Sequence, residues 1–171
     1  TPKDKLLAIA ELARQHDLYI LSDEVYQAFL YDGAEHFSIA SDPRYKDRTI
    51  TVGSCSKTYA MTGWREGYAA ANPVIVERMT KLHEFFSSCV NGPAQMAAVA
   101  ALNGPQDSVA AMVAEYARRR RVVLDRINGI EGLSCHEPMG AFYAFVNVQG
   151  TGLDSVTFVH RLLDEAQVSM A

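Results

Sequence analysis

The sequence predicts an α/β protein in which helices flank a mostly parallel sheet, followed by a smaller α+β domain. Two short runs, residues 18–21 and 49–52, are rich in apolar or β-branched residues. Runs of this kind are typical of strands that are covered on both faces, as in parallel sheets. Apolar residues repeat at helical spacing before the first run and over long stretches after residue 72. With 171 residues, the chain is long enough to bury a sizeable core.

The first half of the chain alternates helix and strand signals. Thr1, Pro2 and Asp4 predict an N-cap, a first-turn proline and a capping-box acid at the start of the first helix. Strand 18–21 follows, and turn signals at 32–33 and 41–43 precede strand 49–52. Residues 67–71 predict a third strand. The connection from Lys57 to that strand is short for a parallel crossover, so we expect the third strand to be antiparallel.

The second half is helical and then returns to short strands. Pro73 predicts a helix through about residue 87, and Gly-Pro pairs at 92–93 and 104–105 separate it from later helices. The remaining predicted elements are helices over 94–103, 107–128 and 153–166 and strands over 133–136 and 141–148. We expect two domains, with residues 1–107 in the large domain and residues 108–171 in an incomplete small one.

Composition argues against several classes of function. The net charge is −4, and the one basic run, Arg118 to Arg121, points around a whole helical turn, so we expect no nucleic-acid partner. The three cysteines form no C-x-x-C pair and the five histidines form no metal motif. No apolar stretch is long enough to cross a membrane, and no leader is visible. We therefore expect no metal site, no membrane partner and a cytoplasmic location.

Polar side chains follow the predicted strands where a parallel sheet binds ligands. Asp23 comes directly after strand 18–21, and Ser54 and Lys57 come after strand 49–52. Arg65 lies just before the third strand. Because the carboxyl ends of parallel strands meet at one edge, we expect these groups to converge there, with Tyr26 close by.

This donor set matches the needs of pyridoxal phosphate. The cofactor requires an amine for a Schiff base and an acid opposite its ring nitrogen. Its phosphate requires cationic and hydroxyl donors. Lys57, Asp23, Ser54 and Arg65 are candidates for these tasks.

Four motifs resemble the class I/II aminotransferases of the fold-type-I pyridoxal-phosphate enzymes. They are S-D-E-V-Y at 22–26, S-x-S-K at 54–57, T-G-W-R-x-G-Y at 62–68 and P-x-G-A-F-Y at 138–143. The order and spacing are similar over essentially the whole chain. The resemblance implies transamination between an amino acid and a 2-oxo acid, and a homodimer.

The resemblance also assigns roles to the site residues. Asp23 would pair with the pyridine nitrogen, Tyr26 would hydrogen-bond the ring hydroxyl, and Lys57 would carry the Schiff base. Ser54 and Arg65 would hold the phosphate, with Ser56 behind them. The freed Lys57 amine would then move a proton between the substrate α-carbon and the cofactor.

The sequence departs from the family pattern in two places. Glu66 stands where an aliphatic residue is usual, although strand alternation should turn it away from the site. The cofactor contacts expected upstream of Thr1 and the carboxylate-binding arginine expected downstream of Met170 are absent. We therefore expect the chain to be a fragment of a roughly twofold longer protein, lacking N-terminal and C-terminal parts, and to be inactive alone.

Three alternative functions bear on these motifs. Ser54 to Lys57 is also an S-x-x-K, but the S-D-N and K-T-G motifs of penicillin-binding proteins and β-lactamases are missing. A pyridoxal-phosphate-dependent C–S lyase would share the same cofactor site. A regulator that uses an aminotransferase-like domain as a ligand sensor would share it too, so both stay open.

Overall fold

The computed structural model describes residues 1–170. The chain divides into two compact units, Thr1–Ala110 and Ala111–Ala171. The assignment of residues 1–107 to a cofactor-binding large domain and of 108–171 to a small domain stays a prediction.

The first unit is built on a three-stranded sheet in the order β1-β2-β3. Strand β1 (Ile20–Asp23) pairs in parallel with β2 (Thr49–Ser54), and β3 (Gly67–Ala70) pairs with β2 in the antiparallel direction. Both directions agree with those expected from the sequence. The parallel pair matters most for the site, because it places the carboxyl ends of β1 and β2 side by side.

Strand β1 begins two residues later than expected. Residues 18 and 19 lie outside the sheet, and Tyr19 and Leu21 are each 70% exposed among the described residues. The prediction of burial on both faces was therefore wrong for this strand. The displacement carries the strand through Ser22 to Asp23, so that the predicted site acid is itself the last strand residue.

Helix α1 (Lys3–Gln15) precedes the sheet and packs into its first core cluster. Its N-cap is Pro2 and not Thr1, so the predicted cap was wrong. The proline ring has no atom that can accept a capping hydrogen bond. Ala10 of this helix is fully buried against Ile39 and Tyr45. This cluster holds the amino end of the sheet, away from the predicted site.

Four further helices follow: α2 (Cys55–Thr58), α3 (Pro73–Ser87), α4 (Gly92–Asn103) and α5 (Asp107–Asn128). The sequence predicted α3, α4 and α5 in this order but not the single turn of α2. Gly92 and Pro93 form the first turn of α4 rather than a break before it, because Asn91 caps the helix and Pro fits a first-turn position. Cys55, Met61 and Ala98 form a second core cluster, which fixes α2 against α4.

The second unit contains part of α5, the two-stranded antiparallel pair β4 (Ser134–Cys135) and β5 (Val146–Asn147), and α6 (Ser155–Ala166). The predicted strand over 141–148 is therefore much shorter. Ala141 adopts φ 59°, a left-handed conformation that interrupts an extended chain. Phe142 stacks on Tyr116, with ring centroids 5.1 Å apart.

Among residues 1–170, no helix combines the length and apolarity needed to cross a bilayer.

Candidate active site

The site lies where β1 and β2 end together. Asp23 is the register partner of Val52, and Ser54 ends β2 two residues further on. Side chains of paired residues point to the same face of a sheet, and alternate residues share a face. Asp23, Val52 and Ser54 therefore face the same side, which brings the predicted ring-nitrogen acid and the predicted phosphate hydroxyl onto one surface.

Asp23 holds the start of the turn that follows β1. Its Oδ1 accepts a hydrogen bond from the Val25 backbone N–H at 3.2 Å, an Asx-type arrangement that redirects the chain. The residue is exposed in the described chain, so its other carboxylate oxygen is accessible to a hydrogen-bond donor of a ligand.

Ser54 joins three parts of the site. Its Oγ accepts the Ser56 N–H at 3.0 Å as the N-cap of α2, and it donates to the Glu66 carbonyl oxygen at 3.0 Å. The Cys55 N–H also donates to the Glu66 carbonyl oxygen, at 3.2 Å. These bonds tie the start of α2 to the residue next to Arg65.

Lys57 is half-buried in the single turn of α2. It follows Ser54 by three residues, a spacing that places two side chains on one side of a helical turn. The turn is held from behind by Cys55, which is 1% exposed in the second core cluster. The backbone that carries the amine is thus fixed by the cap on one side and by core packing on the other.

Arg65 comes at the end of the connection from α2 to β3. Its backbone is left-handed, with φ 56° and ψ 44°, an uncommon conformation for a residue with a side chain. Its Nη1 donates to the Thr62 carbonyl oxygen at 3.0 Å, and the residue is exposed. A ligand role for this guanidinium stays a prediction.

Tyr26 lies in the turn after β1 and is half-buried. Its ring packs edge-to-face on Phe29, with centroids 6.3 Å apart. The structure therefore places its backbone three residues from Asp23 and shows a packing contact for its ring. The hydrogen bond to a cofactor hydroxyl stays a prediction.

Burial is the main cause of the raised pKa values of Cys55 and Tyr59, which are each two residues from Lys57 in the sequence. Desolvation, with the negative charge of Glu66 as a second cause, raises the pKa of the Cys55 thiol. Burial is also the main cause that raises the pKa of Tyr59. Both groups therefore hold their protons at neutral pH, and Cys55 is a packing residue rather than a nucleophile, as its sequence context indicated.

The sequence analysis missed one buried carboxylate at this edge. Glu24 is 8% exposed and accepts hydrogen bonds from Ser22, Ser38 and His36. The feature that identifies Glu24 is its burial next to Asp23. The S-D-E motif alone does not show that burial, so the sequence could not reveal it. Tyr68, interpreted from sequence as a packing residue, has its ring over Gly53 and accepts a 3.5 Å hydrogen bond from Gln27.

The residues at this edge fit pyridoxal phosphate by the chemistry of their donor groups. The carboxylate lies at the end of β1, the hydroxyl at the end of β2, the amine in α2 and the guanidinium just before β3. Within residues 1–170, no cluster of histidine, cysteine and acidic side chains could hold a metal ion. The fold and the donor set together define an α/β domain with a candidate site for an aldehyde-bearing phosphate cofactor.

Comparison with known proteins identifies the family. The sequence model for aminotransferase class I and II matches residues 1–171, and the chain belongs to that family. It is 44% identical over 170 residues to an aspartate aminotransferase of Pyrococcus abyssi. It is 45% identical over 170 residues to aromatic-amino-acid aminotransferase 2 of Thermococcus litoralis. Each comparison covers 98% of this chain and 43% of the relative.

Solved structures agree with the predicted fold class. The crystal structure of an aromatic aminotransferase from Pyrococcus horikoshii superposes with a TM-score of 0.93 at 44% identity, covering 99% of this chain and 46% of that one. The chain is therefore a fold-type-I aminotransferase in architecture. It spans less than half the length of the relatives that it matches. Enzymes of this family use pyridoxal phosphate.

Proposed function

We propose that the protein containing this chain is a pyridoxal-phosphate-dependent aminotransferase that uses Lys57 as its covalent anchor. The observation that carries the proposal is the register of the sheet. It places Asp23 and Ser54 on one face at one edge, with Lys57 in the turn capped by Ser54. Membership of the aminotransferase family and the names of the relatives support the reaction class.

The cofactor would be held at three points. Lys57 Nζ would bind its aldehyde carbon, the Asp23 carboxylate would accept a hydrogen bond from its protonated ring nitrogen, and Ser54 with Arg65 would bind its phosphate. When bound, pyridoxal phosphate supplies an electron sink for the bonds at the substrate α-carbon. Tyr26 would donate to the ring hydroxyl from the turn after β1.

Lys57 would have two tasks in the reaction. Its Nζ would hold the cofactor covalently, and as a free amine it would accept the proton from the substrate α-carbon. The same nitrogen then delivers that proton during amino-group transfer. The cap of α2 and the packing of Cys55 restrain the backbone from which the Lys57 side chain extends.

Asp23 would keep the electron sink effective. An ionised carboxylate opposite the ring nitrogen favours the protonated form of that nitrogen. The bond from Val25 N–H to Asp23 Oδ1 orients the carboxylate before any ligand binds. An arrangement that is fixed in advance costs no reorganisation during the reaction.

The substrates would be an amino acid and a 2-oxo acid. The names of the matched relatives include aspartate and aromatic-amino-acid aminotransferases, so they agree on the reaction class and differ on the side chain. We propose the reaction class for this protein and no particular amino donor.

Covalent labelling at Lys57 tests the proposal. The full-length protein is loaded with pyridoxal phosphate, reduced with borohydride and mapped by mass spectrometry. We expect the label on the peptide that contains Lys57 and its loss in Lys57→Arg. Labelling of a different lysine, or no labelling of the folded protein, would contradict the proposal. A protein that binds at Lys57 but releases a thiol from cysteine S-conjugates without transferring an amino group would be the lyase instead.

We also propose that the protein is a homodimer. Phe85 and Phe86, at the end of α3, are 90% and 84% exposed in the described chain, and exposed apolar patches mark interaction surfaces. Sedimentation of the full-length protein should give twice the mass of one chain. A monomer at micromolar concentration would contradict this assignment.

A cytoplasmic location is the remaining part of the proposal. Cys55, Cys89 and Cys135 are all free thiols, which suits a reducing compartment. Fractionation of the source cells should place the protein with cytoplasmic markers, and recovery in a membrane or secreted fraction would contradict the location.

A further inference from the structure

Glu24 is a buried carboxylate next to Asp23 that the proposed chemistry does not use. Its side chain is 7% exposed, whereas Asp23 is exposed on the other face of β1. Successive strand residues point to opposite faces. Glu24 therefore lies behind the candidate site and not in it.

Three donors hold the Glu24 carboxylate. Oε1 accepts from Ser22 Oγ at 3.0 Å and from Ser38 Oγ at 2.8 Å, and Oε2 accepts from His36 Nε2 at 2.8 Å. The His36 ring donates to this oxygen in the forms that carry a proton on Nε2, so the tautomer decides the direction of that bond. The three bonds tie the end of β1 to residues 36–38, which lie beyond the following turn.

The backbone of Glu24 is the junction between the sheet and the site turn. Its N–H donates to the Val52 carbonyl oxygen at 2.9 Å, one step beyond the Asp23–Val52 register pair. Its carbonyl oxygen accepts from the Gln27 N–H at 3.0 Å and closes the turn that contains Tyr26. Glu24 thus links Asp23, the last residue of β1, to the turn that contains Tyr26.

We propose that Glu24 is a positioning residue that holds the Asp23 carboxylate and Tyr26 in register with the cofactor ring, by fixing the turn from the opposite face of β1. The inference rests on the proposed function. A buried ion pair or hydrogen-bonded charge adds little stability over a well-packed apolar group, so its benefit lies in geometry. Catalytic groups must be held within about 0.5 Å of their working position, and three bonds to one carboxylate supply that restraint.

The variants separate positioning from stability. Glu24→Ala removes all three bonds to the carboxylate, and Ser38→Ala removes one of them from the segment beyond the turn. Glu24→Gln keeps an oxygen for both serines, and its amide can donate to the other tautomer of His36. Thr49→Val is the matched control, because it deletes a buried 2.8 Å hydrogen bond to the Tyr45 carbonyl oxygen at the amino end of β2.

Two readouts are measured on the full-length protein. Hydrogen exchange of residues 23–27 in the apoprotein reports the turn without any cofactor. The dissociation constant of pyridoxal phosphate and the absorption band of the bound form report the position of Asp23. We expect faster exchange, an altered band and cofactor binding weakened about tenfold or more in Glu24→Ala, a smaller effect in Ser38→Ala and near-complete rescue in Glu24→Gln.

Each outcome decides the proposal. Thr49→Val should change the unfolding midpoint and leave the exchange at 23–27, the band and the dissociation constant unchanged. If Glu24→Ala fails to fold, Ser38→Ala must still shift the band, or the inference is wrong. Faster exchange with unchanged cofactor binding and band would make Glu24 a structural residue only, as would equal effects of Thr49→Val. If the unaltered protein does not bind pyridoxal phosphate at all, the proposed function fails, and this inference fails with it.

Discussion

A single methyl group added at Gly67 should separate β3 from the end of β2, where Ser54 lies. Gly67 is the register partner of Ser54, where β3 meets the end of β2. A Cβ at this position would lie 2.9 Å from the Gly53 carbonyl oxygen, and ordinary contacts begin at 3.4 Å. The obstacle is backbone, so it cannot rotate away as a side chain would.

The size of the effect follows from these distances. The strands must part by about half an ångström to relieve the contact, which costs about 1–3 kcal/mol of stability. The Cys55 N–H to Glu66 carbonyl bond is already 3.2 Å long, so the same movement takes it beyond hydrogen-bond range. Gly63→Ala is the matched control, because nothing lies within 4 Å of its added Cβ. Gly53→Ala should fall between them, since the three atoms nearest to its added Cβ all belong to the Tyr68 side chain, which can rotate away.

Urea unfolding of the full-length apoprotein and cofactor titration measure the two consequences. We expect Gly67→Ala to lower the unfolding midpoint most, and to weaken pyridoxal phosphate binding about tenfold because Ser54 and Glu66 move apart. If Gly67→Ala matches Gly63→Ala in both measurements, the close approach of β2 and β3 does not control the site, and the reasoning is refuted.

The remaining predictions concern single side chains. Asp23→Asn should reduce kcat by about 10²–10³ while changing cofactor affinity far less, because it removes the charge opposite the ring nitrogen rather than the covalent anchor; equal kcat would contradict that role. Ser54→Ala should cost about 1 kcal/mol through loss of the α2 cap, measured by urea unfolding, and unchanged stability would show that the cap is dispensable. The raised pKa of Cys55 keeps its thiolate scarce, so iodoacetamide should label this residue much more slowly in the folded protein than after denaturation at the same pH; equally fast labelling would show that the thiol is neither buried nor perturbed.

Local sequence patterns predicted much of the fold. The β-branched run at 49–52, the short connection to residue 67 and the Pro73 start predicted β2, the antiparallel β3 and α3, and the structure confirmed all three. The failures came where tertiary contacts decide. Strand β1 was displaced toward Asp23 because its pairing with β2 selects Ile20 as the partner of Thr49, a choice that hydrophobicity alone does not contain.

Some features of the candidate site could also be predicted from the sequence, and others could not. The sequence placed Asp23 and Ser54 at the carboxyl ends of two predicted strands, and in the structure they are the last residues of β1 and β2. Their roles toward a cofactor stay predictions. Glu24 and the left-handed backbone at Arg65 could not be predicted, because each depends on partners distant in sequence or on the close approach of two strands. In the second unit, the left-handed Ala141 shortened β5 although its sequence has a clear strand pattern.

Amino-group transfer by the full-length protein tests the central claim most directly. A panel of amino acids is offered with 2-oxoglutarate, and glutamate formation is followed for the unaltered protein, Lys57→Ala and the exposed-lysine control Lys46→Ala. We predict glutamate from at least one donor, an unchanged rate in Lys46→Ala and a loss of at least about a hundredfold in Lys57→Ala. Absence of glutamate with every donor, or an unchanged rate in Lys57→Ala, would contradict the account.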